Sequence, residues 1–197
     1  GWSGLILVLC FMFLYKLGDS MATALSMPFY LEMGFTKTEI GLVAKNAALW
    51  PSIIGGLVGG LIMLRVGINR ALWMFGAVQL ASILGFALLA SSEPKLWLLA
   101  LVIAFEYLGV GMGTAAFTAF IARETSKTYA ATQFTLFTAL AAVPRTLVNG
   151  STGIIVESIG WVDFFLLCTC LAFPGMLLLI WVAPWRGQKP TALAEGQ

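Results

Sequence analysis

Five ionisable side chains interrupt long apolar runs of this 197-residue chain: Lys16, Asp19, Lys45, Glu106 and Arg145. A charged group at the centre of a membrane-spanning helix costs about 2.5–3.5 kcal/mol, so five unpaired charges would cost on the order of 12–18 kcal/mol. This cost can be borne only where the charges face one another, water or a ligand. The pattern therefore predicts a polar path through a membrane protein.

Two of these groups are acids that can bind and release protons. Asp19 follows Lys16 by three residues, so both project from one helical face, either as a local ion pair or toward a central cavity. Glu106 has Gly109 and Gly113 on its own face, which leaves room for water or a ligand. Its carboxyl serves either proton exchange or a structural hydrogen bond, and the sequence leaves both open.

The interior cations suit an anionic ligand. Arg145 presents a planar fork that matches carboxylate or phosphate, and Asn149 and Thr152 extend its side of the helix. Arg145 either clamps such an anion or pairs with Glu106. Lys45 lies in the outer third of its run, where it either snorkels to the interface or faces the interior.

Composition restricts the class of protein. Hydrophobic residues make up 60% of the chain and charged residues 10%, whereas soluble domains carry about 25% charged residues. The net charge of +2 and the lack of a basic block argue against nucleic acid as a partner. The chain has no histidine, which removes Ser-His triads and HExxH zinc sites. We therefore expect no enzyme, no metal and no cofactor.

The elements that position these residues are apolar runs long enough for a bilayer, which needs about 20 helical residues. Six runs qualify, at about 3–31, 39–64, 70–91, 95–122, 130–156 and 162–184. Short polar loops join them, and only helices or closed barrels satisfy the backbone in lipid. We predict an all-α membrane protein with a six-helix transmembrane bundle over residues 1–186 and a cytoplasmic tail over residues 187–197.

Basic residues predict the orientation of the bundle. One set of loops contains Arg65, Arg70, Arg123, Lys127, Arg186 and Lys189. The other set contains Lys37 and Lys95 together with Glu32, Glu39, Glu93, Glu157 and Asp163. Because lysine and arginine accumulate in cytoplasmic loops, we expect the first set and both termini of this segment in the cytoplasm.

Glycines of the second run predict close helix packing. Gly55 with Gly59, and Gly56 with Gly60, form two overlapping GxxxG pairs that let another helix approach backbone to backbone. The third run has no interior charge, and Gln79 is its main interior polar group. We expect the third and sixth runs to act as scaffold.

Two resemblances extend this interpretation. The glycine turn between Arg65 and Arg70 resembles the cytoplasmic loop signature of the major facilitator superfamily, which recurs between the second and third helix of each six-helix half. Strings along the chain are similar to the C-terminal half of the AmpG muropeptide permeases. These are Tyr15-Lys16-Leu-Gly-Asp19-Ser-Met-Ala22, residues 34–41, 70–76 and 111–117, residues 131–140 leading to Arg145, and residues 157–161 and 164–165.

The AmpG resemblance implies a proton-coupled importer of anhydromuropeptides in the bacterial inner membrane. Asp19 and Glu106 are then the proton-coupling candidates. The substrate-binding candidates are Lys16, Lys45, Arg145, Asn149 and Gln133. The implied partners are the anionic glycopeptide, protons, membrane lipids and a missing N-terminal six-helix half, because alternating access needs two halves.

Three other functions remain open from the sequence. The chain can carry another large anionic solute such as acetyl-CoA, because the eukaryotic acetyl-CoA transporters look like more distant relatives. It can be a helical module that does not transport. An enzyme embedded in the membrane is disfavoured by the absence of histidine and by the single interior aspartate.

Overall fold

The computed structural model describes residues 2–125, 130–148 and 150–186, and the described residues form helices and short connections without a strand among them. The helices are α1 (Trp2–Ala24), α2 (Ser26–Glu32), α3 (Lys37–Val66), α4 (Ile68–Ala90), α5 (Leu96–Glu124), α6 (Ala130–Val148), α7 (Thr152–Ile159) and α8 (Trp161–Val182). The predicted all-α fold is confirmed. The predicted tail over residues 187–197 lies outside the described residues.

Five segments of the described chain are long and apolar enough to cross a membrane. They are Ile6–Glu32, Lys37–Val66, Ile68–Ala90, Leu96–Glu124 and Trp161–Val182. The first combines α1 with α2, and each of the others is a single helix. These segments match five of the six apolar runs that the sequence predicts.

The fifth predicted run, residues 130–156, differs from the expected single helix. α6 ends at Val148 and α7 begins at Thr152, with a turn at Gly150 and Ser151 between them. Glycine and serine propagate a helix poorly, and several threonines together with Gln133 and Arg145 make α6 more polar than its neighbours. Thr152 therefore begins a separate helix, whereas the sequence predicted one continuous helix through residues 130–156.

Local sequence signals set several helix ends. Thr36 and Glu39 form a capping box, in which the Thr36 hydroxyl accepts from the Glu39 amide and the Glu39 carboxylate accepts from the Thr36 amide. Single glycines at φ +84° and +81°, Gly67 and Gly160, separate α3 from α4 and α7 from α8. Only glycine enters this backbone region at little cost, so both helices stop where the sequence places it.

Glycines also bring the helices close together. A Cβ on Gly18 would lie 3.1 Å from the Cα of Ala172, and one on Gly175 would lie 2.6 Å from the backbone nitrogen of Tyr15. α1 therefore packs against α8 at near backbone distance. α3 packs on α5, and α4 packs on both α5 and α8.

Two buried apolar clusters fill opposite ends of this bundle. One includes Phe29, Phe86, Leu99, Ile103, Phe164 and Phe165. The other includes Phe11, Leu72, Phe75, Met112, Phe117 and Phe120. Along α1, α4 and α5 the chain passes from one cluster to the other, and between the two clusters lie Lys16, Asp19, Gln79, Ser82 and Glu106. This arrangement places polar groups in the middle of the bundle.

Three of the predicted basic loop residues meet at one end of the bundle. Arg70 at the start of α4, Arg123 at the end of α5 and Arg186 after α8 line one surface cavity. Antiparallel spans should place these three loop residues on the same side of the membrane, as the charge pattern predicts. That this end faces the cytoplasm stays a prediction.

Candidate functional site

Five polar side chains from three helices form a cluster between the two apolar clusters. We call Lys16, Asp19, Gln79, Ser82 and Glu106 the buried polar cluster. α1 contributes the first two residues, α4 the next two and α5 the last. The cluster therefore joins two charges of the first span to the acid of the fourth span, which the sequence could not place side by side.

Glu106 is the centre of this cluster. It is fully buried, with 0% of its surface exposed, and the Ser82 hydroxyl donates a hydrogen bond to its Oε2. The Asp19 carboxyl lies close enough for a side-chain hydrogen bond with the Glu106 carboxyl. Glu106 Oε1 and Asp19 Oδ1 are both buried and receive no hydrogen bond from any described donor. One proton on either acid would join the two carboxyl groups.

Lys16 supplies the positive charge nearest to this pair. Its Nζ lies 4.0 Å from Asp19 Oδ2 and 5.7 Å from the centroid of the Phe117 ring. Of the two alternatives for Lys16 and Asp19, the structure has the local ion pair, and Asp19 also neighbours Glu106. One lysine and two ionised acids carry a net negative charge, and a single added proton makes the cluster neutral. The side chains of Lys16 and Asp19 remain 15% and 14% exposed, whereas Glu106 is fully buried.

Ser82 and Gln79 connect the carboxyl pair to α4. The Ser82 hydroxyl lies 2.7 Å from the carbonyl oxygen of Gln79 as well as beside Glu106. The Gln79 side chain occupies the space that the glycines of α5 leave open, because a Cβ on Gly113 would lie 2.8 Å from its amide nitrogen. The room that the sequence assigned to water or ligand beside Glu106 is therefore filled largely by glutamine.

A small cavity adjoins the cluster. It has a volume of about 10 Å³ and is lined by Tyr15, Asp19, Gly76, Gln79, Leu80, Ile83, Ala172 and Met176. Such a volume holds about one water molecule. The amide nitrogen of Gln79 is buried without an acceptor among the described residues, so the cavity offers it a solvent partner.

Tyr15 fixes the part of α1 that carries the charges. Its hydroxyl donates to the carbonyl oxygen of Leu72 at 3.0 Å, and its ring stacks on Phe117 with centroids 5.7 Å apart. These contacts tie α1 to α4 and α5 one residue before Lys16. They restrict rotation of α1 and keep Asp19 directed at Glu106.

The other predicted site residues either lie apart from the buried polar cluster or lie outside the described residues. Lys45 is exposed on α3 and makes no ion pair among the described residues. Gln133 is half-buried on α6. The backbone of Arg145 belongs to α6, while its side chain and all of Asn149 lie outside the described residues.

The four predicted packing glycines fall on two sides of α3. Gly55 and Gly59 are buried and face α5, where a Cβ on Gly59 would lie 2.8 Å from the Cα of Met112. A Cβ on Gly56 or Gly60 would meet no described atom within 4 Å. The Cβ positions of one GxxxG pair therefore face α5, and those of the other pair face open space in the described part of the chain.

Ser82 was not among the residues that the sequence singled out, and Gln79 was assigned to scaffold. Both lie on one face of α4, three residues apart, in a helix whose other buried residues are apolar except Asn69 in its first turn. Two hydrogen-bonding side chains at this spacing are the signal that would have identified α4 as a wall of the site.

Apolar helices of spanning length, with a carboxyl pair buried midway along them, define an all-α, multi-pass membrane protein. No protein-family model matches the chain. An uncharacterised protein of Haemophilus influenzae is 52% identical over 188 residues, which are 92% of this chain and 44% of that protein. The anhydromuropeptide permease of Escherichia coli K12 is 41% identical over 175 residues, which are 88% of this chain and 36% of the permease.

A putative AmpG transporter of Rickettsia conorii is 33% identical over 177 residues, which are 90% of this chain and 43% of that protein. The chain therefore spans between 36% and 44% of the length of these relatives. The predicted resemblance to the AmpG muropeptide permeases is confirmed, and it extends over 88–90% of this chain.

Proposed function

We propose that this chain is the C-terminal half of a proton-coupled permease that imports anhydromuropeptides across the bacterial inner membrane. The name and the 41% identity of the Escherichia coli relative support this substrate class. Two of the three relatives are named a permease and a putative transporter, which favours a carrier over an enzyme. Residues 1–186 then form the transmembrane bundle and residues 187–197 a cytoplasmic tail.

The observation that carries the proposal is the buried pair of Asp19 and Glu106. Two neighbouring carboxyl groups repel each other when both are ionised, so we propose this pair as the place where a proton is exchanged. Lys16 beside Asp19 keeps the singly protonated pair electrically neutral. Release of that proton requires water to reach the site, which couples protonation to opening of the bundle.

The substrate interacts with cationic side chains that do not belong to the Asp19–Glu106 pair. Lys45 is exposed on α3 and has no described carboxylate partner, so it can meet a substrate carboxylate. Arg145 on α6 supplies a second, bidentate group for the same chemistry. Gln133 and Asn149 add hydrogen bonds to the sugar and peptide amides, and Lys16 joins them when the pair exchanges its proton.

One six-helix half cannot alternate access by itself, because the mechanism rocks two halves about a midplane site. The relatives are more than twice as long as the aligned segment, which leaves room for the second half. We place that half before residue 1, and we place the arginine-rich end of the bundle and both termini of this segment in the cytoplasm.

Transport in vesicles tests this function. Proteoliposomes containing the permease encoded by the complete reading frame should accumulate labelled anhydromuropeptide when a pH gradient is imposed, and a protonophore should abolish the accumulation. Vesicles containing only residues 1–197 should show none. Accumulation that ignores the gradient would reject proton coupling, and transport by the isolated segment would reject its assignment as a half.

A further inference from the structure

The arginine-rich end of the bundle contains a second cavity, apart from the buried polar cluster. A cavity of about 290 Å³ opens there, lined by Val66, Gly67, Ile68, Asn69, Arg70, Arg123, Trp185 and Arg186. Its walls come from the α3–α4 turn, the first turn of α4, the end of α5 and the segment after α8. The apolar cluster around Phe75 and Phe120 separates it from the buried polar cluster.

Positive charge in this cavity exceeds negative charge. Arg123 Nε donates to Glu124 Oε1 at 3.2 Å, and Arg123 Nη1 donates to the side-chain oxygen of Asn69. Arg70 and Arg186 are exposed, and neither forms an ion pair with a carboxylate among the described residues. Three guanidinium groups with one described carboxylate leave a surplus of two positive charges for an anion.

Hydrogen bonds hold the walls of the cavity in place. The Asn69 amide donates to the carbonyl oxygen of Pro184 at 3.1 Å, Arg70 Nε donates to that of Trp185 at 3.4 Å, and the Trp73 indole donates to that of Ala183 at 2.9 Å. The segment after α8 is thereby fixed against α4. A site with such walls needs little reorganisation when an anion enters.

The start of α4 adds positive potential to the same cavity. α4 begins after Gly67 without a side-chain cap. The helix dipole places partial positive charge at this terminus. Guanidinium groups beside the start of a helix suit a phosphate group.

The position of the cavity relative to the membrane indicates that the phosphate belongs to a phospholipid. The cavity lies where the apolar helices end, and the side chain of Trp185 is half exposed beside it, as is common at the headgroup level. The phosphodiester of a phospholipid lies at this depth, and basic pockets between spans bind anionic headgroups. We infer that the cavity binds the headgroup of an anionic phospholipid through Arg70, Arg123 and Arg186.

Lipid binding to the purified complete permease tests this inference. Native mass spectrometry should show phosphatidylglycerol retained in preference to phosphatidylcholine. The double variant Arg70→Gln/Arg186→Gln should weaken phosphatidylglycerol binding about tenfold. The matched control Arg65→Gln/Lys37→Gln removes the same charge outside the cavity and should bind as the unmodified protein does. Arg186→Lys, which keeps the charge, should retain most of the affinity.

Three results would overturn the inference. The first is equal retention of the two lipids. The second is an equal loss of binding in the cavity variant and in the control variant. The third is that inorganic phosphate binds the cavity, that this binding depends on Arg70 and Arg186, and that lipid binding does not depend on them. The cavity would then bind a free anion. Melting curves of each variant will show whether a loss of binding reflects a loss of fold.

Discussion

Replacement of Glu106 by glutamine will abolish accumulation of muropeptide against a gradient while leaving exchange of internal for external substrate. Glutamine keeps the size of the side chain and behaves as a permanently protonated acid, so the carboxyl pair can no longer release its proton. Accumulation requires that release, whereas exchange requires only that the binding site change sides. The measurement is labelled uptake and counterflow in vesicles that contain the complete permease.

Two further variants sharpen this experiment. Asp19→Asn removes the other member of the pair and should give the same separation of accumulation from exchange. Glu157→Gln alters an exposed acid of α7 and should leave both activities intact. Accumulation that survives in Glu106→Gln at every pH would remove the carboxyl pair from the coupling mechanism. Equal loss of accumulation and exchange would assign Glu106 to the structure of the bundle.

Neighbouring glycines of α3 will respond to alanine in opposite ways. A Cβ on Gly55 would overlap the backbone carbonyl oxygen of Leu108 in α5, and a backbone atom cannot turn aside as a side chain can. We expect Gly55→Ala to destabilise the permease by about 1–3 kcal/mol, the usual cost of overpacking. Gly56→Ala meets no described atom and gains helix propensity, so it should be neutral or slightly stabilising.

Thermal or denaturant unfolding in detergent measures both effects. Gly85→Ala provides an interior control, because its Cβ would make an ordinary contact of 3.7 Å with the Val102 side chain of α5. A loss in Gly55→Ala no greater than in Gly85→Ala would contradict close approach of α3 and α5. A loss in Gly56→Ala would show instead that another part of the permease covers the exposed side of α3.

The sequence predicts those parts of the fold that depend on local composition. Each apolar run became helix, since a chain in lipid has few other ways to satisfy its backbone. The ends at Thr36 and Gly67 follow from capping chemistry and from positive φ. The interruption at Gly150 and Ser151 was also local, yet the apolar residues on both sides hid it, and the prediction of one continuous helix was wrong.

The site was predicted less completely because it depends on how the helices are rotated about their axes. The sequence identified Asp19 and Glu106 as interior acids, but 87 positions separate them and no local pattern places them in contact. Likewise Gly55 and Gly56 read alike in the sequence, and only the packing of α3 on α5 distinguishes them. The side chains of Gln79 and Ser82 are neutral, so the pattern of interior charges in the sequence does not identify them.

Ser82 has two acceptors within reach and a single hydrogen to give. While Glu106 is ionised, that hydrogen satisfies the carboxylate and the carbonyl of Gln79 goes without it. Once Glu106 is protonated, the acid can donate to the serine oxygen, and the serine can turn its own hydrogen back to the peptide group. A change in the ionisation of Glu106 on α5 would thus alter the hydrogen bond to the Gln79 carbonyl oxygen on α4. Rotation of the Ser82 hydroxyl is sufficient for this, without movement of either helix.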